Sequence, residues 1–154
     1  MPQYDTEFDL REFLPYLLNQ AAAATSVEFR EIYKNRYGML RTEWRVLFHL
    51  GRYGSMTAKS LCDLAALHKT KVSRAVAALE RKRFLVREVL EHDRRHEQLK
   101  LTPAGRAAFN DLNTEARAFD AQIAARFTPK ETKVLRDCLI ALAKLPDDEA
   151  ALDG

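Results

Sequence analysis

The sequence predicts a mainly α-helical domain carrying one small β-hairpin, and three observations support this. Apolar residues recur every three to four positions in six separate stretches, the period of an amphipathic helix. Between the fourth and fifth of these, "FLVREVLE" is rich in Val, Leu and Phe and "EQLKLT" alternates polar with apolar, as strands do. Stops and caps fall at the boundaries: Gly38, Thr57, Thr102 with Pro103, and Thr128 with Pro129. At 154 residues the chain suits one domain, burying about 70% of the surface its unfolded form exposes.

The first helix runs from Leu14 to Tyr37, with Leu14, Leu17, Leu18, Ala21, Thr25, Phe29 and Ile32 at helical spacing. Pro15 fits only near its start, so a short turn from Asp9 leads in, and Gly38 is the stop. Thr42 reads as the cap of a second helix carrying Trp44, Val46, Leu47, Phe48 and Leu50, which "GRYGS" ends. Thr57 caps a short third helix holding Leu61 and Leu64. After a few residues around Leu67 and His68, a fourth helix places Val72, Ala75, Val76 and Leu79 on one face, which completes a helix-turn-helix.

The two strands follow at once as an antiparallel hairpin, with the polar residues between them as the turn. Thr102 and Pro103 open a fifth helix of about twenty residues. Thr128, Pro129 and Glu131, in capping-box spacing, open the last, with Val134, Leu135, Cys138, Leu139, Leu142 and Leu145. Residues 147–154 form an acidic tail expected to fray.

A helix-turn-helix followed by a hairpin is the winged-helix arrangement. The whole chain, 1–154, is therefore expected to be a single domain, with a winged helix-turn-helix at 40–103 between helical segments 9–37 and 104–146. The apolar stripes of those flanking helices need cover, and a second copy of the chain is the economical partner, so they read as dimerisation helices.

Composition narrows the function classes. An apolar fraction of 47% with 31% charged residues describes a globular chain rather than a disordered or fibrous one. No apolar run is long enough to span a bilayer, and "MPQYDTEFDLREF" lacks the order of a secretory signal, so a cytoplasmic location and no membrane partner are expected. Cys62 and Cys138 lie far apart within apolar-periodic stretches, which suits buried small residues rather than metal ligands or a disulfide framework. Net charge is only +3, but from Thr57 to Arg106 twelve Lys and Arg face six Asp and Glu, a local +6 that leaves −3 for the rest. Such a middle third suits an anionic polymer, double-stranded DNA being the expected partner.

With one face of the fourth helix spoken for, Lys69, Thr70, Lys71, Ser73 and Arg74 project from its first turns. No acid occurs from Lys69 to Leu79, whereas solvated faces usually mix signs. A cationic, hydrogen-bonding helix start is the part that helix-turn-helix modules insert into the major groove. Base readers and phosphate anchors within it cannot be told apart by residue type.

These stretches resemble the MarR family of bacterial transcriptional regulators over nearly the whole chain. The resemblance is carried by "LRTEWRVLFHL", by "TAKSLCDLAALHKTKVSRAVAALERKRFL" and by "DRRHEQLKLTPAG". Its most specific part is Asp93, Arg95, Leu101, Thr102 and Gly105. The resemblance implies an obligate homodimer on a pseudo-palindromic operator, usually a repressor relieved by a small molecule. The family often has glycine where this chain has Arg83, so the fourth helix would end differently or the arginine would add a phosphate contact. Peroxide-sensing members place a cysteine in the first helix, where this chain has none.

The polar run "LEHDRRHEQLKLT" has several readings. His92, Asp93, His96 and Glu97 are metal-ligating types, but the spacing of the two histidines suits a helix face and a hairpin tip would scatter them, so no metal is expected. No nucleophile stands beside a base, so no catalytic residues, cofactor or enzyme activity are expected either. A solvated turn is the plain alternative. As a wing, the run can reach a minor groove, where narrow width favours an arginine. There Asp93 can brace the guanidinium of Arg95 while Arg94 lies toward phosphates, and by resemblance Arg95 is the inserted residue.

For an effector, Phe29, Tyr33, Trp44 and Phe48 gather aromatic surface where the family's cleft lies, with Arg45 or His49 able to meet a carboxylate. An aromatic or carboxylate compound is the implied ligand, against the plain reading of core packing. From another class, a protein-interaction adaptor would use the same basic face to dock an acidic partner.

Overall fold

The structure, a computed structural model, describes residues 7–90 and 93–145; the side chains of residues 90 and 93–96 lie outside that description. A 3-10 turn, Leu10–Glu12, leads into α1, Leu14–Tyr37. Asp9 caps the turn, its carboxylate accepting from the Arg11 N–H at 2.9 Å. Gly38 ends α1 in the left-handed conformation, φ 64°, letting its own N–H reach the Lys34 carbonyl at 2.8 Å and that of Met39 reach Tyr33 at 3.3 Å.

Helix α2, Arg41–Tyr53, begins before the threonine expected to cap it. Leu40 holds the capping position, and because leucine offers no acceptor, Glu43 reaches back to take the Leu40 N–H at 2.8 Å. Thr42 instead lies in the first turn.

The next elements are β1, Met56–Thr57, α3, Ala58–Ala65, and α4, Lys69–Arg81. They are followed by β2, Leu85–Leu90, β3, Asp93–Leu101, α5, Pro103–Ala124, and α6, Pro129–Ala143. Thr57 caps α3, Thr102 caps α5 and Thr128 caps α6, each side chain accepting the amide three residues on.

The sheet is antiparallel and three-stranded, in the order β1-β3-β2. The sequence indicates only a hairpin, because β1 is two residues long and has no period to read. Its register pairs Met56 with Leu99 and Thr57 with Gln98, while β2 and β3 pair from Leu85 with Leu101 to Leu90 with Asp93, with an irregularity after Val89. Strand β3 starts at Asp93, so Asp93 to His96 belong to a strand and not to the turn that their polarity suggested.

The core centres on α2. Val46, Leu47 and Leu50 pack with Leu61 of α3, Val72, Val76 and Leu79 of α4, Leu85 and Leu99 of the sheet, and Leu112 of α5. Burying one such side chain stabilises the fold by about 1.5–3 kcal/mol. Helix α6 contributes no buried residue, and Leu14, Leu17, Val134, Leu135, Leu139, Ile140 and Leu142 are all exposed. Among the described residues no helix is long and apolar enough to cross a membrane.

Candidate nucleic-acid interface

Helix α3 ends at Ala66, whose left-handed φ of 52° turns the chain and lets the Leu67 N–H reach the Cys62 carbonyl at 3.2 Å. His68 then caps α4, its ring Nδ1 accepting from the Thr70 N–H at 3.2 Å. The inner face, Val72, Ala75, Val76 and Leu79, is buried against α2 and α3. That packing turns Lys69, Thr70, Lys71, Ser73 and Arg74 outward, and all five are exposed together at the amino end of α4. The positive end of the helix dipole adds to their charge, so the helix start favours anions.

A buried carboxylate fixes how α4 stands on α2. Glu43 is 3% exposed, with one carboxylate oxygen on the Leu40 N–H and the other 2.9 Å from the Lys82 ammonium. One side chain thus closes the start of α2 and holds the end of α4. Sequence reasoning missed the pair because nothing local links residues 39 apart.

Two grooves flank α4. The one on its α2 side, about 450 Å³, has Leu40, Thr42, Lys71, Arg74, Ala78 and Arg81 in its lining. The one on its α3 side, about 350 Å³, is lined by Ala58, Lys59, Cys62, Lys69, Val72 and Ser73. Arg81 was legible as a continuation of the stripe through Lys71 and Arg74, but attention to the first turns passed it over. Lys59 is exposed on the neighbouring helix, and only the folded arrangement brings it beside Lys69.

Asp93, Arg94 and Arg95 lie in β3, and their side chains, like that of His96, are outside the described set, as is all of His92. Cys62 is half-buried and Cys138 exposed, which corrects the expectation that both are buried: α6, where Cys138 sits, packs no residue into this chain's core.

The aromatic set comes together inside the fold. Phe29 lies edge-on to Tyr33 at 5.6 Å and to Trp44 at 4.9 Å, Tyr33 stacks on Trp44 at 5.8 Å, and Phe48 follows at 5.7 Å from Trp44. Phe109 and Phe119 of α5 extend the group. Arg45 donates to the Ala65 carbonyl at 2.8 Å, and the His49 ring Nδ1 lies 2.6 Å from the Arg45 carbonyl. Burial pulls the Arg45 guanidinium below its ordinary value with Arg41 adding repulsion, and burial likewise lowers His49.

Comparison with known proteins agrees with this geometry. Residues 37–96 match the model of the MarR family. The homoprotocatechuate degradative operon repressor of Escherichia coli is 27% identical over 130 residues, covering 84% of this chain and 87% of that protein. A MarR/EmrR family transcriptional regulator from Acinetobacter sp. ADP1 superposes with a TM-score of 0.79 at 23% identity, over 89% of this chain and 96% of that one. Bordetella bronchiseptica BpsR, whose DNA binding is regulated by 6-hydroxynicotinic acid, superposes at 0.77 with 19% identity, over 93% and 98% of the two chains. The matched segment spans α2 through the helix-turn-helix and into the hairpin just described, and the fold around it is that of the winged helix-turn-helix regulators of the MarR family, which this chain resembles in sequence and in structure.

Proposed function

We propose that this chain is a sequence-specific DNA-binding repressor that acts in the cytoplasm as a homodimer on a pseudo-palindromic operator. The observation behind the reading is the exposed cluster Lys69, Thr70, Lys71, Ser73 and Arg74 at the amino end of a helix whose other face is buried. Helical segments 9–37 and 104–146 supply the dimer contacts, favoured by the exposed apolar residues of α1 and α6. Two-fold symmetry then presents two copies of α4 to two half-sites. The name of the E. coli relative supports repression as the outcome of binding.

A wing arginine completes the contact: Arg95 enters a minor groove with Asp93 as its brace and Arg94 toward the phosphates. An aromatic or carboxylate small molecule relieves repression through the group of Phe29, Tyr33, Trp44, Arg45 and Phe48, a reading favoured by the aromatic acid that regulates BpsR. To act, it must bind more tightly to the conformer whose two recognition helices misfit the operator.

The test is a mobility shift with the duplex upstream of the protein's own gene. Retention of a palindrome at salt that removes bulk duplex supports the reading, and only salt-fragile association with any duplex overturns it. Arg95→Ala is expected to cost about 1–3 kcal/mol of operator binding with the fold intact, the scale of one good groove contact. An unchanged affinity in a folded variant removes Arg95 from the interface.

A further inference from the structure

The two grooves beside α4 differ in shape but share a chemistry. On the α2 side, Lys71, Arg74 and Arg81 run along one edge of the helix over ten residues, about 15 Å at the helical rise. Ala75, Ala77 and Ala78 leave that edge low, and Thr42 stands opposite on α2. Arg81 is exposed and makes no side-chain hydrogen bond or ion pair among the described residues, and Lys59 is likewise exposed and unpaired there. The carboxylate bordering the α2-side groove, Glu43, is already neutralised by Lys82. On the α3 side, Lys59 and Lys69 face the groove across Cys62 and Ser73.

A helix lying in a major groove about 12 Å wide has a sugar–phosphate strand on each side. Resting on the DNA-binding reading above, the geometry points to two phosphate rails, one to each strand. Lys71, Arg74 and Arg81, with the Thr42 hydroxyl, follow one strand. Lys59 and Lys69 follow the opposite one. Arg81 and Lys59 thereby become phosphate contacts that the helix start alone does not supply, fixing the depth and tilt of α4 without reading bases.

The test uses the full chain and a duplex selected for affinity from a random pool, with binding followed by fluorescence anisotropy across about 50 to 200 mM KCl. Arg81→Ala and Lys59→Ala are each expected to lower the slope of log affinity against log salt by about one per bound protomer. Arg81→Lys and Lys59→Arg keep the slope, and the ranking of base-substituted duplexes stays as in the parent protein. Within each half-site, phosphate-ethylation interference disappears on one strand in Arg81→Ala and on the other in Lys59→Ala, the two-fold axis exchanging the strands in the second half-site. Unchanged slopes in two folded variants, or loss on the same strand of a half-site in both, overturn the rails. A parent protein with no salt-sensitive duplex binding overturns the DNA-binding reading instead, so the two failures are distinguishable.

Discussion

Thr102 ties the start of α5 to the segment before β2 through its amide and its hydroxyl. Its N–H donates to the Phe84 carbonyl at 3.0 Å, its hydroxyl donates to the Arg83 carbonyl at 2.7 Å, and the same oxygen accepts from the Gly105 N–H at 3.0 Å. Gly105 belongs to this clasp because a Cβ there would run into the Phe84 carbonyl oxygen. The Leu-Thr-x-x-Gly pattern is therefore a device that locks the start of α5 onto the link between α4 and β2. Gly105→Ala is expected to cost about 2–3 kcal/mol, read as a lower urea midpoint, since the neighbour that must give way is backbone. Arg83, where the resemblance leads one to expect glycine, adopts φ 63° all the same, with its N–H on Glu80 at 2.9 Å and that of Phe84 on Leu79 at 2.9 Å. The helix thus ends as a glycine would end it, at the expense of a strained arginine. Arg83→Gly is expected to stabilise the fold by about 0.5–1 kcal/mol in the same titration.

Among elements, the apolar faces and all the expected caps but Thr42 were legible, because each is set by residues three or four apart. Gly38, Thr57, Thr102 and Thr128 all act where the sequence places them. What was illegible joins distant segments. Glu43 with Lys82 ties α2 to α4, and Glu43→Ala is expected to cost about 2–3 kcal/mol in thermal or urea unfolding by uncapping α2 and stranding a half-buried ammonium. A second tie joins α1 to α5. Arg36 spans Asp111 and Glu115, and the Tyr37 hydroxyl donates to Asp111 at 2.6 Å. Burial first, then the Asp111 bond, pushes the Tyr37 phenol up to about 12. A raised folded value means that its contribution is complete below the free phenol's 10 and is lost as pH climbs toward 12. Tyr37→Phe is expected to flatten the alkaline limb of stability between those values. Asp111, held below its ordinary value by the Tyr37 bond and then by Arg36, acts in the opposite sense, its contribution fading only in acid.

At the scale of the whole molecule, the described chain leaves much of α6 and the start of α1 with apolar faces in water, as their stripes of Leu, Val and Ile foretold. Ile140→Glu, on the exposed face of α6, is expected to turn a species of twice the chain mass into a single chain in sedimentation equilibrium; an unchanged mass would remove α6 from the proposed interface. The aromatic set was legible as a group but not as a set of contacts, since Phe109 and Phe119 join it from a helix more than sixty residues away from Trp44. The short strand β1 bears on how such a molecule can be switched. Thr57 is at once the last residue of β1, paired with Gln98 of β3, and the cap of α3. The hairpin and the helix-turn-helix are consequently hinged to one another nowhere along that seam, and they must travel as one lever. In the proposed dimer, any displacement of the helix-turn-helix would then carry the base of the hairpin with it, through the one threonine that belongs to both.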